Sequence, residues 1–316
     1  MAHKNIIDFK TGDTVSGTYV LKVIQESVTS TGKPYLKLVL SDDSGDIPGN
    51  KWEMPATAAE LVQGGLVDVT MTIREYKDAL QANVESICNR DLKDLEDREG
   101  VIPMSPETPE RMYERIVNLA NTFTDEELKK IVLTALAEKK DGLLVTPAAM
   151  KMHQAVVGGL LWHITGMLKI ANGLTKVYPE VNRELLFAGI ILHDFGKMEE
   201  FSLSPIGLVQ DYSETGQLEG HLYMGALYVR GLCEKLSVTE EKRILLEHMI
   251  LSHHMKPEWG AVQRPQTMEA YLLHICDEID AKMFQFNEIL KTLEPGQFSR
   301  LPGNRDDIQK IYKPKL

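Results

Sequence analysis

The chain has 316 residues, of which 35 are lysine or arginine and 46 are aspartate or glutamate, giving a formal net charge of −11. Hydrophobic residues make up 43% of it, which is enough for a sizeable core, so whole-chain disorder is excluded. The acidic balance disfavours proteins that bind nucleic acid through a broadly basic surface. Length alone predicts about two domains, at roughly 150 residues each.

The three cysteines, Cys88, Cys233 and Cys276, show no Cys-x-x-Cys spacing. They therefore predict neither a disulfide framework nor a thiolate zinc site. The first residues include charges and lack the apolar stretch of a signal peptide, and no run approaches the ~18 apolar residues of a membrane span. We expect a cytoplasmic protein with no membrane partner, and the sequence leaves the oligomeric state open.

Residues 1–90 alternate apolar and polar side chains, as strands with one buried face do. The alternation is clearest in 14–28, 35–40 and 67–73, and turn-forming residues separate these runs. A short helix is predicted at about 55–62, and Pro48 predicts an edge or a bulge in its strand. Five short strands with one interposed helix predict an OB-type β-barrel, although a small sandwich would show much the same pattern.

The rest of the chain is predicted to be a linker followed by helices. Residues 91–109 form the linker, because ten residues with five acids precede three prolines. Thr124 and Glu127 have the spacing of a capping box at the start of a helix. Residues 198–220 are predicted to form an irregular or hairpin insertion, and residues 291–316 a basic tail. Apolar periodicity predicts helices over residues 110–123, 125–138, 147–177, 180–193, 221–236, 239–253 and 267–293. The predicted fold class is therefore multidomain α+β, with a barrel over 1–90 and an all-α bundle over 110–316.

Eight of the nine histidines lie between residues 153 and 274. Isolated histidines such as His248 and His274 are interpreted as structural. For His274 the alternative is a contact that supports a metal ligand, and for His153 both a structural and a functional role are left open. Five histidines and two carboxylates exceed the needs of one ion and suit two ions that share a carboxylate. The ordered set is His163, His193, Asp194, His221, His253, His254 and Asp277.

This order, with HDFGK at 193–197, resembles the HD-domain metal-dependent phosphohydrolases. One branch is closer: TPAAMKMHQAVVGGLLWHI (146–164), LLFAGIILHDFGKMEEF (185–201), YSETGQLEGHL (212–222), LEHMILSHH (246–254) and EAYLLHICDEIDAKM (269–283) resemble the YhaM-type 3′→5′ exoribonucleases. The resemblance implies an OB fold followed by an HD domain. The chain departs from the common family pattern at Met255, where glycine is usual, and at His153-Gln154, where two histidines are frequent.

The resemblance implies roles for the ordered set. His163, His193, Asp194 and Asp277 would hold one ion, and Asp194 would bridge to a second ion on His221, His253 and His254. Asp280 is the alternative to Asp277, because the two lie one helical turn apart. Imidazole-rich ligation favours manganese, iron, cobalt, nickel or zinc over magnesium, and manganese is the metal expected here. Asp194 and Lys197 are the expected catalytic residues. Lys197 would contact a substrate phosphate if it is not simply a solvated surface lysine.

The predicted barrel supplies a surface for single strands, which such folds bind by stacking bases on aromatic side chains. Trp52 and Tyr19 could each be core residues instead. Residues 1–90 hold 9 basic and 12 acidic residues, so a basic strip there must be local. The residues expected to contact nucleic acid are Tyr35, Lys37, Trp52, Arg74 and Tyr76.

The leading hypothesis is thus a metal-dependent 3′→5′ exoribonuclease that releases nucleoside 5′-monophosphates from single-stranded RNA, with single-stranded DNA as a further candidate substrate. One alternative is an HD phosphohydrolase of a nucleotide or cyclic dinucleotide. Against the cyclic dinucleotide, His254 is followed by MKPEWG and not by the Gly-Tyr-Pro of that branch. The other alternative is a nonenzymatic nucleic-acid-binding protein with structural metals.

Overall fold

The computed structural model of the protein describes residues 3–53, 58–77, 79–91, 100–102, 104–150, 154–299 and 310–316. The chain forms two compact units. The first comprises Met1–Met104 and Leu203–Gln210, and the second comprises Ser105–Ser202 and Asp211–Leu316. Most of the predicted linker, residues 92–99, lies outside the described residues, so the boundaries 1–90, 91–109 and 110–316 stay a prediction.

The first unit is a closed five-stranded barrel with strand order β1-β2-β3-β5-β4. The pairings are antiparallel except for that of β3 with β5, which is parallel and closes the barrel. The long first strand pairs with β4 over its first half and with β2 over its second, and Val20 has partners on both sides. The strands are β1 (Thr14–Val28), β2 (Pro34–Ser41), β3 (Asp46–Lys51), β4 (Leu66–Tyr76) and β5 (Ala79–Arg90). The five predicted strands and the barrel are confirmed.

Alternation along the strands fills the barrel. In β2, Leu36, Leu38 and Leu40 are buried, because successive side chains of a strand point to opposite faces. Tyr19 is fully buried and its hydroxyl donates a hydrogen bond to the Lys4 carbonyl at 2.7 Å, so it is a core residue. The helix predicted at 55–62 is wrong in extent: among its described residues, only a 3-10 turn at Ala58–Glu60 is helical.

The second unit is helical. Its helices are α1 (Pro109–Asn121), α2 (Glu126–Glu138), α3 (Lys140–Val145), α4 (Gly159–Val177), α5 (Arg183–Leu192), α6 (Lys197–Glu200), α7 (Glu214–Leu236), α8 (Glu240–Ser252) and α9 (Met268–Lys291). Two short strands, β6 (Phe201–Leu203) and β7 (Val209–Tyr212), pair with each other between α6 and α7, as the hairpin alternative predicted. Within the described residues, no helix is long and apolar enough to cross a membrane.

Helix α5 lies at the centre of this unit. All eight of its residues from Leu185 to Leu192 are buried, as expected for a helix covered on every side. A side chain at Gly189 would collide with Met249 of α8, so this glycine permits the close approach of the two helices. Because α5 ends at Leu192, the next residues along the chain emerge in the interior of the bundle.

Two local predictions are wrong. The N-cap of α2 is Asp125, whose carboxylate accepts the backbone N–H groups of Glu127 and Leu128, and Thr124 hydrogen-bonds to Glu184 instead. The helix predicted over 147–177 begins only at Gly159. Gly158 has a φ of 71°, and a Cβ at Gly159 would lie 1.9 Å from the Gln154 carbonyl oxygen, so residues 154–157 directly before this pair are not helical.

The end of the chain forms a small ribbon. Strands β8 (Phe298–Ser299) and β9 (Ile311–Tyr312) pair antiparallel. Residues 300–309 of the predicted basic tail lie outside the described residues.

Candidate metal centre

The ordered histidines and aspartates converge from five places in the helical unit. His163 lies in α4 and Asp277 lies in α9. The remaining ligand candidates follow helix ends or a kink: His193 and Asp194 come directly after α5, His221 follows a kink in α7, and His253 and His254 come directly after α8.

Their side chains form overlapping groups in which the donor atoms lie within 4.8 Å of one another. The groups are His163, His193 and Asp277; His193, Asp194 and His253; and His221, His253 and His254. Asp194 contacts both ends of this array. Its Oδ2 lies 3.2 Å from His193 Nε2, and its Oδ1 lies 3.5 Å from His221 Nε2. The array therefore has a group of donor atoms at each end and the Asp194 carboxylate between them.

All five histidines are held by hydrogen bonds at Nδ1, so that Nε2 is the atom left for a metal. His193 bonds through Nδ1 to the Ile190 carbonyl and His253 to the Ile250 carbonyl, each three residues earlier and each at 2.8 Å. These carbonyls belong to the last turns of α5 and α8, where carbonyl oxygens lack N–H donors within the helix. His254 bonds to the carbonyl of Trp259 at 2.9 Å.

The other two histidines are held by carboxylates. His163 Nδ1 lies 2.8 Å from Asp280 Oδ2, and His221 Nδ1 lies 2.8 Å from Glu200 Oε1. On its other side, His163 Nε2 lies 3.2 Å from Asp277 Oδ1. The structure thus places Asp277 inside the array and Asp280 behind His163.

Several atoms that face the centre of this array are buried without a hydrogen bond. Among the described residues, His193 Nε2, His221 Nε2 and Asp194 Oδ1 have no hydrogen-bond partner. Leaving such atoms unsatisfied is costly in a protein interior. Nitrogen and carboxylate donors that converge in this way fit divalent transition-metal ions.

The electrostatics of the array also favour bound cations. Burial by itself raises the pKa of Asp194, but the charges of His193 and Lys197 outweigh it and hold this pKa well below its usual range. His163 is the exception, because burial lowers its pKa but hydrogen bonds to Asp277 and Asp280 outweigh burial and raise it to about 9, so this ring must lose a proton when an ion binds. Burial, with His221 nearby, lowers the pKa of His254 to about 4. Ionised carboxylates and a neutral imidazole are the protonation states that bind metal.

Lys197 is part of this interior and not a solvated surface residue. It is 8% exposed, and its Nζ lies 2.7 Å from Asp194 Oδ2 and donates to the Ala148 carbonyl at 2.7 Å. Lys197 does not continue the helix that precedes His193, because α5 ends at Leu192 and α6 begins anew at Lys197. The alternative of a surface lysine is wrong because the side chain is buried.

The barrel, described by itself, carries a stacked aromatic pair of which Tyr35 is half-buried and Trp52 is exposed. Tyr35 and Trp52 stack with ring centroids 4.9 Å apart and an interplanar angle of 26°. Trp52 is 51% exposed, so the core alternative is wrong for this residue. Lys37, Arg74 and Tyr76 are exposed too.

Comparison with known proteins identifies the family. The HD domain family matches residues 160–282. The 3′-5′ exoribonuclease YhaM of Halalkalibacterium halodurans is 32% identical over 314 residues, covering 99% of this chain and 97% of the relative. The YhaM of Oceanobacillus iheyensis is 34% identical over 316 residues, covering 99% and 98%. This chain belongs to the YhaM family of 3′-5′ exoribonucleases. An HD domain implies that it binds divalent metal.

Among solved structures, the second OB-fold domain of replication protein A from Methanococcus maripaludis is similar to part of this YhaM-family chain. It is 21% identical, with a TM-score of 0.24, and the match covers 29% of this chain and 98% of that one. The barrel itself is established by the strand pairing given above.

Sequence reasoning about this YhaM-family chain missed how its histidines are oriented. Glu200 was not singled out, although it lies within the LLFAGIILHDFGKMEEF motif. His274 bonds through Nδ1 to the His253 carbonyl at 2.8 Å, so it holds the chain at a candidate ligand. His248 accepts a hydrogen bond from the Gln266 backbone N–H at 2.9 Å, which agrees with a structural role. His153 lies outside the described residues.

Proposed function

We propose that this chain is a metal-dependent 3′→5′ exoribonuclease that shortens single-stranded RNA and releases nucleoside 5′-monophosphates. The observation that supports this most strongly is the buried array around Asp194, in a chain that aligns over nearly its full length with curated 3′-5′ exoribonucleases. We also propose that single-stranded DNA is a further substrate, and that the protein acts in the cytoplasm.

In this proposal the array holds two divalent ions, with manganese the preferred metal. His163, His193 and Asp277 would hold one ion, His221, His253 and His254 would hold the other, and Asp194 would be shared. When bound, such a pair of ions activates water and stabilises the charge of the transferring phosphoryl group.

The protein's own residues prepare this chemistry in two ways. Asp194 stays ionised at neutral pH because its pKa is held low, so it is available as a shared anionic ligand. Lys197 places a positive charge against Asp194 and uses two of its three N–H donors, on Asp194 and on the Ala148 carbonyl. We propose that the third donor contacts a phosphate oxygen of the substrate.

The exposed face of the barrel is proposed to hold the RNA strand upstream of the scissile bond. The Tyr35–Trp52 stack offers an aromatic surface, and Lys37, Arg74 and Tyr76 would add local charge and a further ring. Stacking of bases on such surfaces tolerates any sequence, which suits an enzyme that must advance along its substrate.

The test is a product analysis with Mn²⁺ and 5′-labelled single-stranded RNA that ends in a free 3′-hydroxyl. Cyclic dinucleotides, mononucleotides and single-stranded DNA are incubated in parallel. A ladder that shortens from the 3′ end and disappears with EDTA supports the proposal. Hydrolysis of only the small molecules would favour a different HD phosphohydrolase, and RNA binding without hydrolysis would favour a nonenzymatic role.

A further inference from the structure

Glu200 is a buried carboxylate that belongs to none of the candidate ligand groups. It ends α6, is 6% exposed, and makes two hydrogen bonds to a single residue. Its Oε1 accepts the backbone N–H of His221 at 3.0 Å and His221 Nδ1 at 2.8 Å. The one carboxylate therefore fixes both the backbone and the ring of His221.

The backbone around this pair is shaped for the contact. Gly220 interrupts α7 with φ 74° and ψ 155°, a conformation that is essentially restricted to glycine. The interruption turns the His221 N–H towards Glu200. A Cβ at Gly196 would lie 2.1 Å from the His221 carbonyl oxygen, and one at Gly216 would lie 2.3 Å from that of Glu200. Three glycines thus allow the two segments to approach closely.

Asp280 has the same relation to His163 at the other end of the array. Its Oδ2 accepts from His163 Nδ1 and from Gln154 Nε2, each at 2.8 Å. A Cβ at Gly166 would lie 1.9 Å from Asp280 Oδ1, so a glycine makes room for this carboxylate as well. The other three histidines of the array bond to backbone carbonyls, so each end of the array contains one histidine held by a carboxylate.

We propose that Glu200 and Asp280 are positioning residues, each of which controls the occupancy of one metal position. Glu200 would govern the position of His221, His253 and His254, and Asp280 would govern that of His163, His193 and Asp277. The inference rests on the proposed function in taking the array as a two-metal centre. A charged acceptor at Nδ1 fixes the ring and increases the basicity of Nε2, and losing such a partner weakens metal binding 10- to 100-fold, roughly.

The experiment is a titration of the full chain with Mn²⁺ alone, by equilibrium dialysis without nucleic acid. The wild type should bind two ions per chain. Glu200→Gln should weaken one of the two by about 10- to 100-fold and leave the other unchanged. Asp280→Asn should weaken binding of the second ion by a similar factor and leave binding of the first unchanged. Glu199→Gln is the matched control, because Glu199 is the preceding residue, is exposed and pairs with Lys139. It should leave both affinities unchanged.

Combined variants assign the affected position. His254→Ala weakens the position that Glu200 would govern, so Glu200→Gln added to it should leave the remaining ion in place. Added to Asp277→Asn, which weakens the other position, Glu200→Gln should leave no tightly bound ion. The opposite pattern would overturn the assignment, and wild-type affinity at both positions in Glu200→Gln would overturn the inference.

A general structural role would be recognised by equal loss of both positions together with a changed circular dichroism spectrum, and that result would also contradict the inference. If Glu200→Gln does not fold, Gly220→Ala decides the question, since it keeps the carboxylate but strains the kink. Selective weakening of the same position would support the inference, and any other result would contradict it. The readout contains no RNA, so its outcome is independent of whether the chain degrades RNA.

Discussion

The buried pair of Asp194 and Lys197 yields a prediction about stability as well as chemistry. The perturbation is a set of three variants: Asp194→Ala, Lys197→Met and the double variant. The two charges are 2.7 Å apart, and Lys197 is 8% exposed and Asp194 2% exposed. Removing either partner therefore leaves the other charge buried without its closest counterion.

The magnitude follows from this geometry. Breaking a buried ion pair by removing one partner costs about 3–5 kcal/mol, whereas replacing both with apolar groups is often close to neutral. Asp194→Ala and Lys197→Met should each lower the free energy of unfolding by about 3 kcal/mol or more. The double variant should be more stable than either single variant, by about 2–4 kcal/mol, because no uncompensated charge remains.

The assay is urea unfolding in EDTA, followed by the helical circular dichroism signal, which reports the second unit. If the costs of the two single substitutions simply add in the double variant, the pair is not coupled and the reasoning is wrong. The same conclusion would follow if Asp194→Ala unfolded at the wild-type urea concentration. With Mn²⁺ and RNA, Asp194→Ala should show no hydrolysis.

Three further predictions concern other parts of the molecule. Trp52→Ala should weaken binding of fluorescein-labelled single-stranded RNA in EDTA by about 5- to 150-fold, since stacking contributes about 1–3 kcal/mol per base. Tyr178→Ala is the control, because Tyr178 is an exposed ring in the helical unit. Anisotropy titrations that show unchanged affinity for Trp52→Ala would contradict the proposed RNA surface. Tyr19→Phe should lower the free energy of unfolding, measured in urea, by about 1 kcal/mol through the lost hydrogen bond to the Lys4 carbonyl. It should keep the wild-type affinity for RNA, and a fall in that affinity would refute the placement of Tyr19 in the core. Burial raises the pKa of Glu247, but hydrogen bonds to Arg230 and Arg243 outweigh it and lower this pKa from its ordinary value of 4.5. The stability that Glu247 contributes is therefore present above about pH 4.5 and lost as the pH falls through its lower folded-state pKa. The gap in urea midpoint between wild type and Glu247→Gln should shrink from pH 7 to pH 3, and a gap that is constant or widens in acid would contradict this ion pair.

The residues of the array could be predicted from the sequence because each lies in a short contiguous motif, and their order along the chain is distinctive. His193 with Asp194, and His253 with His254, follow strongly apolar helices that end in the interior. Which side chains orient the histidines could not be predicted. Glu200 is 21 residues from His221, and the hairpin between them and the kink at Gly220 bring them together.

The barrel shows a similar division. Alternating apolar residues were enough to predict five strands, because one buried face imposes a period of two. The same pattern could not separate Tyr19 from Trp52, since an aromatic ring suits either a core or an exposed surface. The structure separates them through a tertiary contact: the segment containing Lys4 covers Tyr19, while Trp52 stacks on Tyr35 and remains exposed.

The net charge of −11 argues less strongly against nucleic-acid binding than it first suggested. Asp194 and Asp277 count as negative charges in the sequence, yet both lie in an array that favours bound cations. Bound divalent ions would reverse the local field there. RNA binding that depends on metal at this array and on stacking at the barrel, as proposed, is compatible with an acidic chain.

We propose above all that the buried array around Asp194 holds two metal ions. Anomalous diffraction from crystals of the full chain grown with Mn²⁺ tests it most directly. We expect two peaks about 3.5–4 Å apart, one at the ligand atoms of His163, His193 and Asp277 and the other at those of His221, His253 and His254, with Asp194 contacting both. A single peak, or peaks away from these side chains, would contradict it.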